Sequence, residues 1–161
     1  MAAEELNADL TAGTVTAKRF QLVGDNGELR ALLETQDGNP ILEFMDDSSR
    51  VRLNVAVTNN WPIINMKDEN GNVRVELGTV NGSPTLFFND HIGNLKIGIA
   101  LSKPDSSPRI VFLDDERNIR FGVVSDTTGT PRVIATDQLG GKHRLMWFSD
   151  AVTSDEDIGK R

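Results

Sequence analysis

Cysteine and tyrosine are both absent from this chain of 161 residues. The first absence excludes disulfides and thiolate metal sites. The second leaves strand packing to Phe, Ile, Val and Leu, because tyrosine is otherwise a favoured strand residue. Histidine occurs only as His91 and His143. Neither stands in a recognisable motif with Ser, Asp or Glu, and no nucleophile elbow, phosphate loop or dinucleotide fingerprint occurs. The expectation is therefore a protein that is not an enzyme and has no cofactor and no metal site. No apolar run approaches the length of a membrane-spanning helix, so no membrane insertion is expected. Met1-Ala2-Ala3-Glu4-Glu5 carries acids where a signal peptide carries Lys or Arg, so no signal peptide is expected either. A net charge of −7 and a pI near 4.8 favour solubility and argue against nucleic acid as a partner.

What is present is alternation. In Pro84-Thr85-Leu86-Phe87-Phe88-Asn89-Asp90-His91-Ile92-Gly93-Asn94-Leu95-Lys96-Ile97-Gly98-Ile99-Ala100-Leu101, apolar residues recur at every second position on both sides of a polar turn. That pattern predicts an antiparallel strand pair with one apolar and one wet face. The unit recurs. Pro40, Pro62, Pro84, Pro108 and Pro131 follow one another at spacings of 22, 22, 24 and 23. Arg30, Arg52, Arg74, Lys96, Arg120 and Arg144 keep spacings of 22, 22, 22, 24 and 24. The turn acids Asp25, Asp46, Asp68, Asp90, Asp114 and Asp137 keep the same period. Three residue classes holding one period point to tandem duplication.

The sequence thus predicts an all-β fold: about twelve antiparallel strands arranged as six tandem β-hairpin repeats with a period of 22–24 residues. Each Pro is expected at the first residue of its strand, where the ladder needs no donor. The turn formers Asp37-Gly38-Asn39, Asn59-Asn60, Asn81-Gly82-Ser83, Asp105-Ser106-Ser107 and Thr128-Gly129-Thr130 are expected as linkers between hairpins. Three domains of sequence follow: a lead-in over 1–18, the repeat domain over 19–148, and a flexible acidic tail over 149–161, with a short helix over Glu4–Leu10. The strands must hide one apolar face. A closed or flattened barrel, a trefoil-like closure, and an open curved meander that buries its face against copies of itself all satisfy that demand. The expectation leans to the barrel-like forms.

Candidate contact residues are few. Arg52, Arg74, Lys96 and Arg120 make a basic ladder on the wet face that either meets a polyanion or pairs with the turn acids. The acidic turns Asp68-Glu69-Asn70-Gly71 and Asp114-Asp115-Glu116 lack the alternating ligand spacing of a calcium loop. Trp61, beside Pro62 in a linker, either stacks a sugar or anchors a partner, or plugs the end of the sheet.

Leu10-Thr11-Ala12-Gly13-Thr14-Val15-Thr16-Ala17-Lys18-Arg19-Phe20 resembles segments that precede β-rich domains in phage tail and tail-fibre proteins. The units that follow, Pro-x-Leu-x-Phe-x-Asp-x-x-Gly-x-x-Arg, are similar to β-hairpin repeats of bacterial and phage-related proteins. There is a looser likeness to the tyrosine-aspartate repeats of bacterial surface and toxin proteins, although this chain lacks their Tyr. The resemblance spans residues 10–148 and implies a structural or attachment role in a homo-oligomer or larger protein assembly, without a cofactor. The expected function is a non-enzymatic structural or binding module of a phage-like particle or surface assembly. A carbohydrate-binding, lectin-like module with a glycan partner is the alternative. The expected location is the cytoplasm or such an assembly.

Overall fold

Strict alternation of Leu, Ile, Val and Phe with polar or small residues favours extended backbone, and in this chain it yields strands throughout. A computed structural model describes residues 13–104, 106–125, 128–137 and 141–147, with the side chains of 142–147 left outside. The predicted helix over Glu4–Leu10 and the tail over 149–161 lie outside the described residues. The strands are β1 Arg19–Val23, β2 Leu29–Gln36, β3 Asn39–Met45, β4 Val51–Thr58, β5 Trp61–Lys67 and β6 Val73–Val80, followed by β7 Ser83–Asn89, β8 Leu95–Ser102, β9 Ser107–Leu113, β10 Ile119–Ser125, β11 Pro131–Thr136 and β12 Lys142–Trp147. They form one antiparallel sheet in chain order, a meander. Among the described residues there is no helix, and so none long and apolar enough to cross a membrane.

The sheet does not close. Among the described residues, β1 pairs only with β2 and β12 only with β11, and each strand touches only its neighbours in sequence. The barrel-like and trefoil-like expectations are corrected to an open, single-layer meander. A closed ring of so many strands would enclose an interior too wide for side chains to fill.

Two kinds of turn alternate. At one edge, two-residue turns place both central residues at positive φ, as in Asp37-Gly38, Asn59-Asn60 and Asn81-Gly82, with φ of 50° and 79°, 51° and 66°, and 52° and 77°. Positive φ at both positions gives a turn whose twist matches the strands it joins. The segments expected to be linkers between hairpins are therefore hairpin turns themselves. Pro40, Pro62, Pro84 and Pro108 are second in their strands rather than first. Pro40 faces Thr35 beside the turn, and the ladder to the next strand begins only at Ile41. Its missing donor therefore costs nothing.

At the other edge each turn is followed by a register shift. It lies between Phe44 and Met45, between Met66 and Lys67, and between Phe88 and Asn89. In each case two residues, such as Val51 and Arg52, oppose one. A bulge of this kind re-aims the side chain at the shifted position.

The register gathers apolar residues into lines across the sheet. Phe20, Leu33, Leu42, Val55, Ile64, Leu77, Leu86, Ile99, Ile110, Val123, Val133 and Met146 occupy successive partner positions, one from each strand. A second line on the same face runs through Phe44, Leu53, Met66, Val75, Phe88, Ile97, Phe112 and Phe121. Phe112 and Phe121 meet edge to face with centroids 5.6 Å apart. The shift between Val133 and Ile134 puts Met146, not Trp147, in the first line.

Among the described residues, no second layer covers these lines. Leu77 is 49% exposed and Met66 51%. Among the described residues no large side chain is fully buried, and the most covered apolar residues are Ala31, Leu32, Ala56, Ala100 and Val111.

Candidate functional site

The turn edge is the most regular construction in the molecule. The amide of Asp46 donates to the carbonyl of Arg50 and the amide of Ser49 to the carbonyl of Asp46; Asp68, Asp90 and Asp114 repeat both bonds. The Asp68 carboxylate accepts the amides of Asn70 and Asn72 at 3.0 and 2.9 Å. The carboxylates of Asp46, Asp90 and Asp114 do the same two and four residues ahead. An aspartate that satisfies amides of its own turn fixes the loop without a partner from elsewhere.

The first turn is built differently. Its closing bonds run from the amide of Gly24 to the carbonyl of Glu28 and from the amide of Gly27 to the carbonyl of Gly24. Gly24, and not Asp25, therefore stands where the other turns have Asp. The Glu28 side chain folds back and takes the Asn26 amide at 3.2 Å. A Cβ on Gly24 would lie 2.0 Å from the Glu28 carboxylate. Glu28 thus supplies from the far end of the turn the acid that the others supply from the start.

The structure places the basic ladder on these acids. Arg52 lies 3.7 Å from Asp46, Arg74 3.7 Å from Asp68, Lys96 3.6 Å from Asp90 and Arg120 2.8 Å from Asp114. Arg30 bonds Asp47 and Lys96 bonds Asp115, each in the following turn. Backbone contacts continue the stitching: Arg50 donates to the Glu69 carbonyl and the Asn72 amide group to the His91 carbonyl, both at 2.8 Å. His91 enters through its main chain, and the side chain of His143 lies outside the described residues. The basic residues foreseen as polyanion contacts are thus held by carboxylates of their own turns.

The electrostatics follow. The amide of Arg50 holds the Asp46 carboxyl below the usual range, against the opposing effect of burial. At Asp68, Asp90 and Asp114 burial is the largest single influence and opposes ionisation. The two turn amides, the Asn side chain four residues on and the basic partner together outweigh it, so each is lowered. The bond from Asp47 raises Arg30 and that from Asp115 raises Lys96.

A pH dependence results. In the unfolded chain these carboxyls titrate near 3.8. Folded, they hold their protons less tightly, so their contribution is complete above that value and is lost as pH falls through the lowered folded values. Thermal midpoints are expected to be flat above about pH 5 and to drop below about pH 4. Asp→Asn replacement at Asp46, Asp68, Asp90 and Asp114 together, which keeps an acceptor but removes charge, should flatten that drop. Thermal unfolding followed by circular dichroism from pH 2 to 7 reads both.

Two features of the polar face emerge only from the strand register. Glu43, Asn54, Asn65 and Glu76 are successive partners across β3 to β6 on the face opposite the apolar lines. The Oδ1 atoms of Asn54 and Asn65 are buried without a hydrogen-bond partner, and Asn54 is 7% exposed. The constant spacing of eleven residues is the signal that could have found them.

The second is a depression of about 310 Å³ on that same face. Phe87, Thr85, Ser83, Ser102, Lys103 and Arg109 are among its lining residues. Trp61, 39% exposed, leans over the Asn81-Gly82 turn at its rim. A Cβ on Gly82 would lie 3.3 Å from the indole and 3.4 Å from the Lys103 ammonium. The sequence placed Trp61 among the candidates, but it gave no sign of the Lys103 ammonium that meets it over Gly82.

The apolar face carries a trough of about 530 Å³ over Leu33, Leu42, Val55, Ile64 and Leu77, walled by Pro40 and Pro62. It continues over Leu86, Ile99 and Ile110. A scan against protein families finds no match, and no curated protein matches the sequence.

Proposed function

We propose that this chain is a non-enzymatic structural module, built from a duplicated two-stranded unit, that works as part of an assembly of its own copies. The carrying observation is the uncovered apolar face. Fully burying a Leu, Ile or Phe side chain is worth about 1.5–3 kcal/mol. A dozen such residues left near 40% exposure forgo of order 10 kcal/mol, as much as the whole stability of an ordinary domain.

A second copy satisfies the need well. Eleven strand pairings at about 4.8 Å span roughly 50 Å, and seven-residue strands run roughly 20 Å. Two such faces bury about 2,000 Å², the size of an obligate homodimer interface. The two apolar lines are free of charge, so like faces meet without repulsion. A phage-like particle or surface assembly is the setting that the resemblance of residues 10–148 supports.

An apolar-surface dye tests the covering. Native protein at micromolar concentration is expected to leave anilinonaphthalene sulfonate dim. A strong signal from folded protein would mean that the face stands open and would overturn the reading.

The carbohydrate-binding reading keeps one specific observation of its own: Trp61 stands part-exposed at the rim of a polar depression, on the face that assembly leaves free. An indole presented beside hydroxyls is a platform for a sugar ring.

A further inference from the structure

We infer that the depression at the β7–β9 end of the polar face binds an acidic saccharide, its carboxylate or sulfate held by Lys103 and Arg109 and its ring laid against Trp61. The inference rests on the carbohydrate-binding reading and adds the sign of the ligand's charge and the residues that read it.

Charge is the first ground. The chain carries a net charge of −7, and its basic ladder is neutralised residue by residue by turn carboxylates. Lys103 and Arg109 stand outside that ladder. Among the described residues neither makes an ion pair, although both line one depression. Two cations left unpaired in an acidic protein, one in the β8–β9 turn and one in β9, have the chemistry to hold an anion by charge-assisted hydrogen bonds.

Register is the second ground. Arg109 is the partner of Ala100, which is the partner of Thr85, so the guanidinium side chain rises beside a floor of small residues. Thr85 is buried and its hydroxyl donates to the Gly78 carbonyl. Ser83 and Ser102 add hydroxyls at the end where Lys103 and Trp61 converge over Gly82. Gly82 sits at φ 77° in its turn, and that conformation together with its missing Cβ leaves room for both side chains. Hydroxyls, an indole and two cations together suit a polar ring bearing negative charge better than a bare anion or an apolar molecule.

Isothermal titration of the full chain tests this with three probes: a heparin-derived tetrasaccharide, tetragalacturonate and neutral maltotetraose. The acidic probes are expected to bind, with affinity falling as salt rises. Lys103→Ala with Arg109→Ala should weaken them at least about tenfold, whereas Lys96→Ala, which breaks the ion pairs to Asp90 and Asp115, should not. Trp61→Ala should weaken them as well. Circular dichroism and the native mass of each variant confirm that fold and assembly are intact. Equal binding of maltotetraose, undiminished in the double variant, overturns the acidic assignment and leaves the carbohydrate reading standing. Binding of no probe overturns both.

Discussion

Leu77→Arg is expected to abolish the proposed assembly and to lower the thermal midpoint by at least about 10 °C. Leu77 lies mid-sheet in the first apolar line, between Ile64 and Leu86, and is 49% exposed in the single chain. If nothing covers it, a charged side chain there is solvated and changes stability by no more than about 0.5 kcal/mol. If another sheet lies on it, the guanidinium is buried without a partner, at a cost of about 3–5 kcal/mol. The two accounts thus differ by several kcal/mol at one residue. Ile92→Arg is the control, because Ile92 sits in a turn, is 67% exposed and belongs to neither line. It should leave mass and midpoint unchanged. Sedimentation and thermal unfolding at one protein concentration read the pair.

Gly78→Ala is expected to destabilise the chain by about 2 kcal/mol, the largest effect of any single added methyl among the strand glycines. Gly78 faces Ile63 in β5 and Thr85 in β7. A Cβ there would stand 2.6 Å from the Pro62 carbonyl oxygen and 3.2 Å from the Ile63 Cα. Both are backbone, so the strands themselves must part. Gly122→Ala meets the Ile110 carbonyl oxygen at 3.1 Å and should cost less. Gly98→Ala touches only side chains, Val111 at 3.3 Å and Phe87 at 3.6 Å. There the methyl removes backbone freedom from the unfolded chain at little steric cost, so stability should be unchanged or slightly raised. Urea midpoints at a fixed protein concentration should fall in the order Gly98→Ala, Gly122→Ala, Gly78→Ala. A reversed order would mean that the strand spacing at Gly78 is not that of the folded chain.

The strands were legible because their signal is local. Leu95, Ile97, Ile99 and Leu101 alternate within one strand, and no distant residue is needed to read them. The turns were legible for the same reason, since Asp, Asn and Gly carry their own geometry. Asp25 was misread because the acid of the first turn comes from Glu28, and only the closing bonds at Gly24 reveal the exchange. Asn59-Asn60 was read as a linker because a two-residue turn and a short linker share the same residues.

Closure was not legible. Whether Phe20 and Met146 belong to one ring or to opposite edges of a plate depends on twist summed over every strand, which no stretch of sequence records. The depression at Lys103 and Arg109 was hidden for a related reason. Trp61, Gly82, Lys103 and Arg109 lie in different elements of the chain, and only the register brings them to one place. The basic ladder drew notice through its period, yet its described members are held by turn carboxylates, whereas Lys103 and Arg109, outside that period, make no ion pair among the described residues.

Sedimentation equilibrium of the full chain across a hundredfold range of concentration, with circular dichroism of the same samples, bears most directly on the uncovered face. A mass of two or more whole multiples of 17.7 kDa, with strand signal lost as the assembly dissociates on dilution, is the predicted result. A 17.7 kDa species that keeps its full strand signal and unfolds cooperatively at every concentration would contradict it.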